Sequence, residues 1–249
     1  MRLKMVQNHV VLLPGLDGTG ELFAPFLHAQ TNHFDSTVVK YPPDKMLNYL
    51  QLIPSIREVV PWGEPYILLA ESFSGPLALQ FAAVQPENLK AIVLVASFVS
   101  NPVHPLLEWA RFLMKGSWLE KPLPETLLKK FLMGEDCPPA LCGMVMQAIR
   151  SVRPEVLAHR IRMSIDTDVR NLLQSCDKPL LYLSGARDKI VARRGLEKIQ
   201  AVRPDVVHVE LDAPHLVLQR CPREAIAAID QFLEGQQWAC SPRERQMAA

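Results

Sequence analysis

The stretch YILLAESFSGPLALQFAA, Tyr66 to Ala83, changes character in its middle. An unbroken apolar run ends at Glu71, and a second apolar segment of different period begins at Gly75. The first half reads as a strand buried on both faces and the second as a buried helix. The five residues between them, Glu71-Ser72-Phe73-Ser74-Gly75, leave room only for a very tight turn. Such a turn tolerates only small residues two before and two after its tip, and Ala70 and Ser74 meet that condition. This is the pattern of a nucleophile elbow, written G-x-S-x-G, which holds a serine hydroxyl above the end of a sheet and beside a helix N-terminus.

A serine hydroxyl is a weak nucleophile until a base lies within about 3 Å and a third group orients that base. Of the seven histidines, His215 in LDAPHLVLQ follows the last β-rich run and falls at the same sheet end as Ser72. His9 and His208 lie within strand-like runs, His28 and His33 flank an early loop, and His104 and His159 fall in a helical region. Asp188, in LLYLSGARDKIV, follows the preceding strand-like run. Nucleophile, acid and base then come in the order Ser72, Asp188, His215, which suits a parallel sheet whose functional loops lie at the carboxyl ends of its strands. Each residue also has a plain structural reading: Ser72 as a helix cap, Asp188 as a turn aspartate, His215 as a loop histidine. Ser74 is the competing nucleophile, but Pro76 would then occupy a position that must be small. Asp212 is too close to His215 in sequence to orient it and reads as structural.

Outward from the elbow, β-rich runs recur at 10–13, 36–41, 66–72, 91–97, 180–185 and 206–212. Helical patterns lie at Leu47–Val60, Gly75–Val84, Arg193–Val202 and Arg223–Leu233. The alternation predicts an α/β fold with a six-stranded, all-parallel sheet flanked by helices. The rhythm stops between Ser97 and Lys178, where helical spacings such as Leu157, Ile161 and Ile165 recur and prolines cut the region into short pieces. The expected organisation is a core of residues 1–98 and 178–235, a helical cap of residues 99–177 inserted after the fourth strand, and a loose tail from 236 to 249.

Composition narrows the partners. Twenty-seven basic and twenty-six acidic residues give a formal net charge of +1, so no global field gathers nucleic acid or an anionic membrane surface. A small molecule is the expected partner, without nucleic acid or stable membrane insertion. Five cysteines with no C-x-x-C pair argue against a disulfide framework and a zinc site. The apolar run near the start is too short for a signal segment, and a cytoplasmic location is expected.

From about Val10 to Leu233 the chain resembles the α/β-hydrolase superfamily. The elbow AESFSGPLA, the S-G-x-x-D after a strand, the P-H after the last strand and the PGLDGTG loop at 14–20 carry the resemblance. It implies an oxyanion hole made by the backbone N–H groups of Phe73 and Leu16, and it requires neither metal nor organic cofactor. Departures from the common pattern are Pro14-Gly15 in the first loop, Ala70 for the first elbow glycine and Ser74 for the second, where a side chain larger than glycine is expected to crowd the turn. The pairing of PGLDGTG with ESFSG looks more like a subgroup that includes plastid acyltransferase-like proteins. Eight residues before the first strand cannot supply the leading hairpin of the full family sheet.

The activity these features imply is a serine hydrolase cleaving a carboxylic ester or thioester through an acyl-enzyme, including an acyl-carrier or CoA-linked substrate. The alternatives are transfer of the acyl group to an alcohol, a non-catalytic ligand-binding protein of the same fold, and carbon–carbon bond hydrolysis with the same residues. Asp17 either touches substrate or shapes the D-G turn. In the insertion, Trp109, Phe112, Met114, Trp118, Phe131, Met133, Met144 and Met146 suit either an acyl pocket or cap packing. Arg150, Arg153, Arg160 and Arg162 suit either an acidic carrier or coenzyme phosphate, or solvated helix faces.

Overall fold

The computed structural model describes residues 9–30, 33–84, 86–102 and 125–236. Six strands form one sheet in the order β2-β1-β3-β4-β5-β6, and every neighbouring pair is parallel. They are β1 (His9–Leu13), β2 (Asp35–Val38), β3 (Tyr66–Glu71), β4 (Leu89–Val95), β5 (Leu180–Gly185) and β6 (Val207–Leu211). The expectation of strands buried on both faces holds for the four inner ones. It fails for β2 and β6, whose residues are half-buried or exposed, because each pairs on one side only.

Helices cover both faces. On one side α2 (Tyr49–Arg57), α3 (Gly75–Ala82) and α8 (Ala192–Gln200) pack against Leu68, Ala70, Leu94 and Tyr182. On the other, α1 (Ala24–Ala29), α9 (Val217–Arg220) and α10 (Pro222–Gly235) cover Leu12, Leu69, Val93 and Leu183. Local signals explain several boundaries. Asn48 and Gln51 form a reciprocal capping box that starts α2, and prolines occupy the first turns of α3 and α10. Helix α1 is only six residues long and leaves no periodic signature in the sequence.

Between β4 and β5 the described residues form α4 (Glu125–Leu128) with a π-helical continuation (Lys129–Met133), α5 (Pro139–Arg150), α6 (Pro154–Asp166) and α7 (Arg170–Ser175). Leu128, Met133, Leu141, Val145 and Ala148 cluster there with Leu22 and Leu216, which come from loops at the carboxyl ends of β1 and β6. Polar ties fix the same contact: Leu216 N donates to the carbonyl of Leu132, and Arg220 donates to Met133 and Asp136. Helix α6 carries two stripes. Val156, Arg160 and Ser164 are buried, while Leu157, Ile161 and Ile165 are half-buried, in agreement with their predicted spacing.

Candidate active site

The elbow is a strained turn held from three directions. Ser72 has φ 49°, in the left-handed region, at a cost of about 1–3 kcal/mol that the surroundings must offset. Behind it the hydroxyl of Ser97 donates to the Ser72 carbonyl at 2.6 Å, and the Ser97 carbonyl accepts from Tyr182 Oη at 2.9 Å. Ala96, itself at φ 45°, directs the chain into this position. Gly75 makes the approach feasible, since a Cβ there would lie 2.0 Å from Ser97 Oγ. Ser74 does not obstruct the turn, contrary to expectation. It is fully buried, donates to the Pro14 carbonyl and shares a 2.7 Å hydrogen bond with Tyr41 Oη, so it joins the elbow to the first loop.

The loops after β5 and β6 bring the other two residues to Ser72. A Cβ on Gly185 would sit 2.5 Å or less from the carbonyl oxygens of Ala213 and Pro214, so only glycine lets the two loops approach this closely. Arg187 N donates to the Ala213 carbonyl, and the Arg187 guanidinium pairs with Asp212 at 2.8 Å. Asp212 is thus occupied in joining the two loops. The result is a hydrogen-bonded chain: Ser72 Oγ to His215 Nε2 at 2.8 Å, and His215 Nδ1 to Asp188 Oδ2 at 2.8 Å. The other Asp188 oxygen accepts from the amides of Ile190 and Val191 at 2.7 and 3.2 Å.

Burial acts on both titratable groups in this chain. For Asp188 it opposes ionisation, but the charge and hydrogen bond of His215, with the two amides, win and hold the carboxyl below its usual range. For His215, burial alone would depress basicity; the charge and hydrogen bond of Asp188, with a contribution from Glu71, outweigh it and raise the imidazole. Glu71 itself is buried, with Gln219 Nε2 donating to it at 3.0 Å. Burial pushes its carboxyl up to about 7, Asp17 adding to the effect and Gln219 and His215 opposing it.

Ser72 and His215 open onto a cavity of about 410 Å³. Its polar lining is Asp17, Glu71, Ser72 and His215 at the sheet end, with Ser164 from α6. The rest is apolar: Leu22, Leu216 and Phe98 from the core loops, Leu127, Phe131, Val145 and Ile149 from α4, its continuation and α5, and the Leu157, Ile161, Ile165 stripe of α6. Gly15, Leu16 and Phe73 reach the same cavity. Phe73 is buried, its ring stacked on Tyr49 at 4.9 Å and its carbonyl accepting from Tyr49 Oη. Asp17 accepts from Thr19 N at 2.9 Å and from the Thr19 hydroxyl at 2.5 Å, which shapes the D-G-T turn.

Among the insertion residues, Phe131 lines the cavity, while Met133, Met144 and Met146 belong to the helical cluster. Trp109, Phe112, Met114 and Trp118 lie outside the described residues. Arg150 and Arg153 are exposed and Arg162 half-buried, but Arg160 is only 2% exposed, so a solvated helix face does not describe it. No group of three or more His, Cys, Asp or Glu side chains suited to a metal ion occurs among the described residues, and none of their helices is long and apolar enough to cross a membrane.

Sheet order, elbow and loop placement define the α/β-hydrolase fold, and solved structures agree. A hydrolase from Oleispira antarctica superposes with a TM-score of 0.76 at 14% identity, over 92% of each chain. A thermophilic esterase from Thermogutta terrifontis gives 0.73 at 18% identity, over 92% of this chain and 90% of its own. An enol-lactonase from Burkholderia xenovorans gives 0.69 at 16% identity, over 92% of each chain. In sequence, a pimeloyl-[acyl-carrier protein] methyl ester esterase from Xanthomonas oryzae is 25% identical over 209 residues, 78% of this chain and 82% of the relative. No family model matches the chain.

Proposed function

We propose that this protein is a serine hydrolase that cleaves carboxylic esters through an acyl-enzyme formed on Ser72. The observation that carries the reading is the hydrogen-bonded chain Ser72–His215–Asp188 at the mouth of an apolar cavity. His215 Nε2 takes the hydroxyl proton as Ser72 Oγ attacks the ester carbonyl, and the backbone amides of Leu16 and Phe73 hold the developing oxyanion. Collapse of the tetrahedral intermediate expels the alkoxide, which receives that proton from His215. Water, deprotonated by the same imidazole, then attacks the acyl-enzyme, and the acid leaves as His215 returns that proton to Ser72 Oγ. Asp188 fixes the tautomer and supports the imidazolium. Apart from the attacking water, every group the steps require belongs to the chain.

The acyl part of the substrate occupies the apolar end of the cavity, against the α5 and α6 side chains, and residues 99–177 act as a cap over the core of residues 1–98 and 178–235. A thioester or carrier-linked acyl group is compatible with this arrangement, and the Xanthomonas relative's name describes such a substrate for that protein. Cys137, Cys142, Cys176 and Cys221 are free thiols, which suits a reducing, cytoplasmic setting.

A fluorophosphonate probe followed by peptide mapping tests the reading. We expect label on Ser72 and none in Ser72→Ala; label on Ser74 instead would refute the assignment. Products formed from a p-nitrophenyl ester with and without added glycerol then distinguish water from an alcohol as acceptor.

A further inference from the structure

Arg160 is among the largest fully buried side chains of the described residues, and it meets backbone instead of a carboxylate. Its Nη1 donates to the carbonyls of Leu16 at 2.9 Å and Asp17 at 2.7 Å, and its Nη2 donates to that of Pro42 at 3.0 Å. The guanidinium carbon stands 5.7 Å from the centre of the Tyr41 ring. Burial lowers the basicity of this guanidinium, so placing it here costs free energy that hydrogen bonds must offset. Gly18 makes room, because a Cβ on it would come within 2.6 Å of Nη1.

Two of the three carbonyls so held, those of Leu16 and Asp17, belong to the loop after β1, and the third, that of Pro42, belongs to the segment after β2. Gly15 O accepts from Gly18 N at 3.1 Å, Pro14 O accepts from Ser74, and Gly18 O accepts from Tyr41 N at 2.8 Å. The peptide that carries the Leu16 N–H has its own carbonyl engaged, and the next two carbonyls are clamped by Arg160. Meanwhile Arg160 is rooted in α6, where Leu157, Ile161 and Ile165 form the neighbouring stripe and line the cavity. One helix therefore touches both the acyl end of the cavity and the loop with the Leu16 amide.

We propose that Arg160 is a positioning residue that couples cavity occupancy to the oxyanion site: a chain seated against Leu157, Ile161 and Ile165 holds α6, and through Arg160 it holds the Leu16 amide in place. The inference rests on the reading of Ser72 as nucleophile and the Leu16 amide as oxyanion donor. It implies a substrate preference expressed in the rate of the chemical step as well as in binding, so that long unbranched acyl groups react faster at saturation than short ones.

The test uses alkyl fluorophosphonates bearing two-carbon and twelve-carbon chains, whose reaction with Ser72 builds charge at the same site. For the unaltered protein we expect a larger limiting rate, kinact, with the longer chain. Arg160→Met should lower kinact for the longer chain on the order of 10²-fold, the scale of one lost oxyanion donor, and erase the chain-length difference. KI should stay within about threefold, as for an effect confined to the transition state. Arg160→Lys, which keeps the charge and can serve one carbonyl, should recover part of the loss and carries the test if the methionine variant does not fold. A folded Arg160→Met protein whose kinact retains the full chain-length difference overturns the coupling; if that variant does not fold, an Arg160→Lys protein with the same kinact and chain-length difference as the unaltered protein does so. Label mapped to a residue other than Ser72 overturns the underlying reading instead.

Discussion

The elbow and the inserted helices face each other across one cavity and are built by opposite means. The elbow is rigid and polar: a left-handed Ser72, hydrogen bonds from Ser97 and Ser74, and a glycine that admits no Cβ. The insertion presents leucine, isoleucine, valine and phenylalanine side chains and is tied to the core by a small apolar cluster with a few hydrogen bonds. Reaction chemistry requires fixed distances, whereas recognition of an acyl chain tolerates many side-chain packings. Substitutions on the elbow side should therefore damage rate or folding outright, and those on the insertion side should shift selectivity.

The sharpest test of that contrast is Asp188→Asn. It preserves shape and an acceptor for the Ile190 and Val191 amides, but it offers an N–H to His215 Nδ1 and so favours the wrong tautomer. We expect kcat to fall about 10⁴-fold with little change in melting temperature. The residual activity should also lose its acid limb at the raised position. Under the proposed mechanism, with Asp188 ionised, the elevated His215 must lose its proton before it can act as base, so activity should rise with pH through that raised value. In the variant the rise should move to lower pH; an unmoved limb in the pH–rate profile would contradict this role for the carboxylate.

Next in size is a stability effect from Glu71, on the rigid side but outside the hydrogen-bonded chain. Its carboxyl ionises near 4.5 when exposed and near 7 in the fold. The neutral form's contribution to stability is complete below pH 4.5, is lost as pH rises through 7, and is flat beyond. The span corresponds to roughly 3 kcal/mol. Urea unfolding of Glu71→Gln from pH 4.5 to 8 should lack this decline. Parallel curves for the two proteins would mean that Glu71 does not carry it.

Gly75→Ala tests the elbow's packing directly. The added methyl must displace Ser97 Oγ and break its bond to the Ser72 carbonyl, at a cost of about 1–3 kcal/mol. The backbone at this position, φ −60°, accepts alanine, so the loss would be one of contact and not of conformation. A denaturation midpoint equal to that of the unaltered protein would show that Ser97 can move freely.

The same contrast governs what was legible in the sequence. Small residues at Ala70, Ser74 and Gly75 announce a tight turn because local sterics leave no other choice. His215 and Asp188 could be located because all strands of a parallel sheet present their carboxyl ends together. Arg160 gave no such signal: a charged residue between Val156 and Ser164 reads as solvated, and its partners are carbonyls of Leu16, Asp17 and Pro42, more than a hundred residues away. Periodicity correctly gave the Leu157, Ile161, Ile165 stripe, but nothing in the spacing said that it lines a cavity with Ser72. The edge character of β2 and β6 depends on strand order, which a list of strands does not contain.

The smallest effect belongs to the insertion's rim. Phe131 lines the cavity yet is 41% exposed, so Phe131→Ala should leave folding nearly unchanged. On the proposed reading, what it removes is apolar cover for the outer part of a long acyl chain. Losing the burial of one methylene costs about 0.8 kcal/mol, roughly a fourfold rise in KM. That rise should appear for a p-nitrophenyl ester of a twelve-carbon acid and be absent for the acetate, with kcat unchanged for both. An equal rise for the two esters would place Phe131 against the leaving group, and the apolar end of the cavity would then hold the alcohol part of the substrate and not the acyl chain.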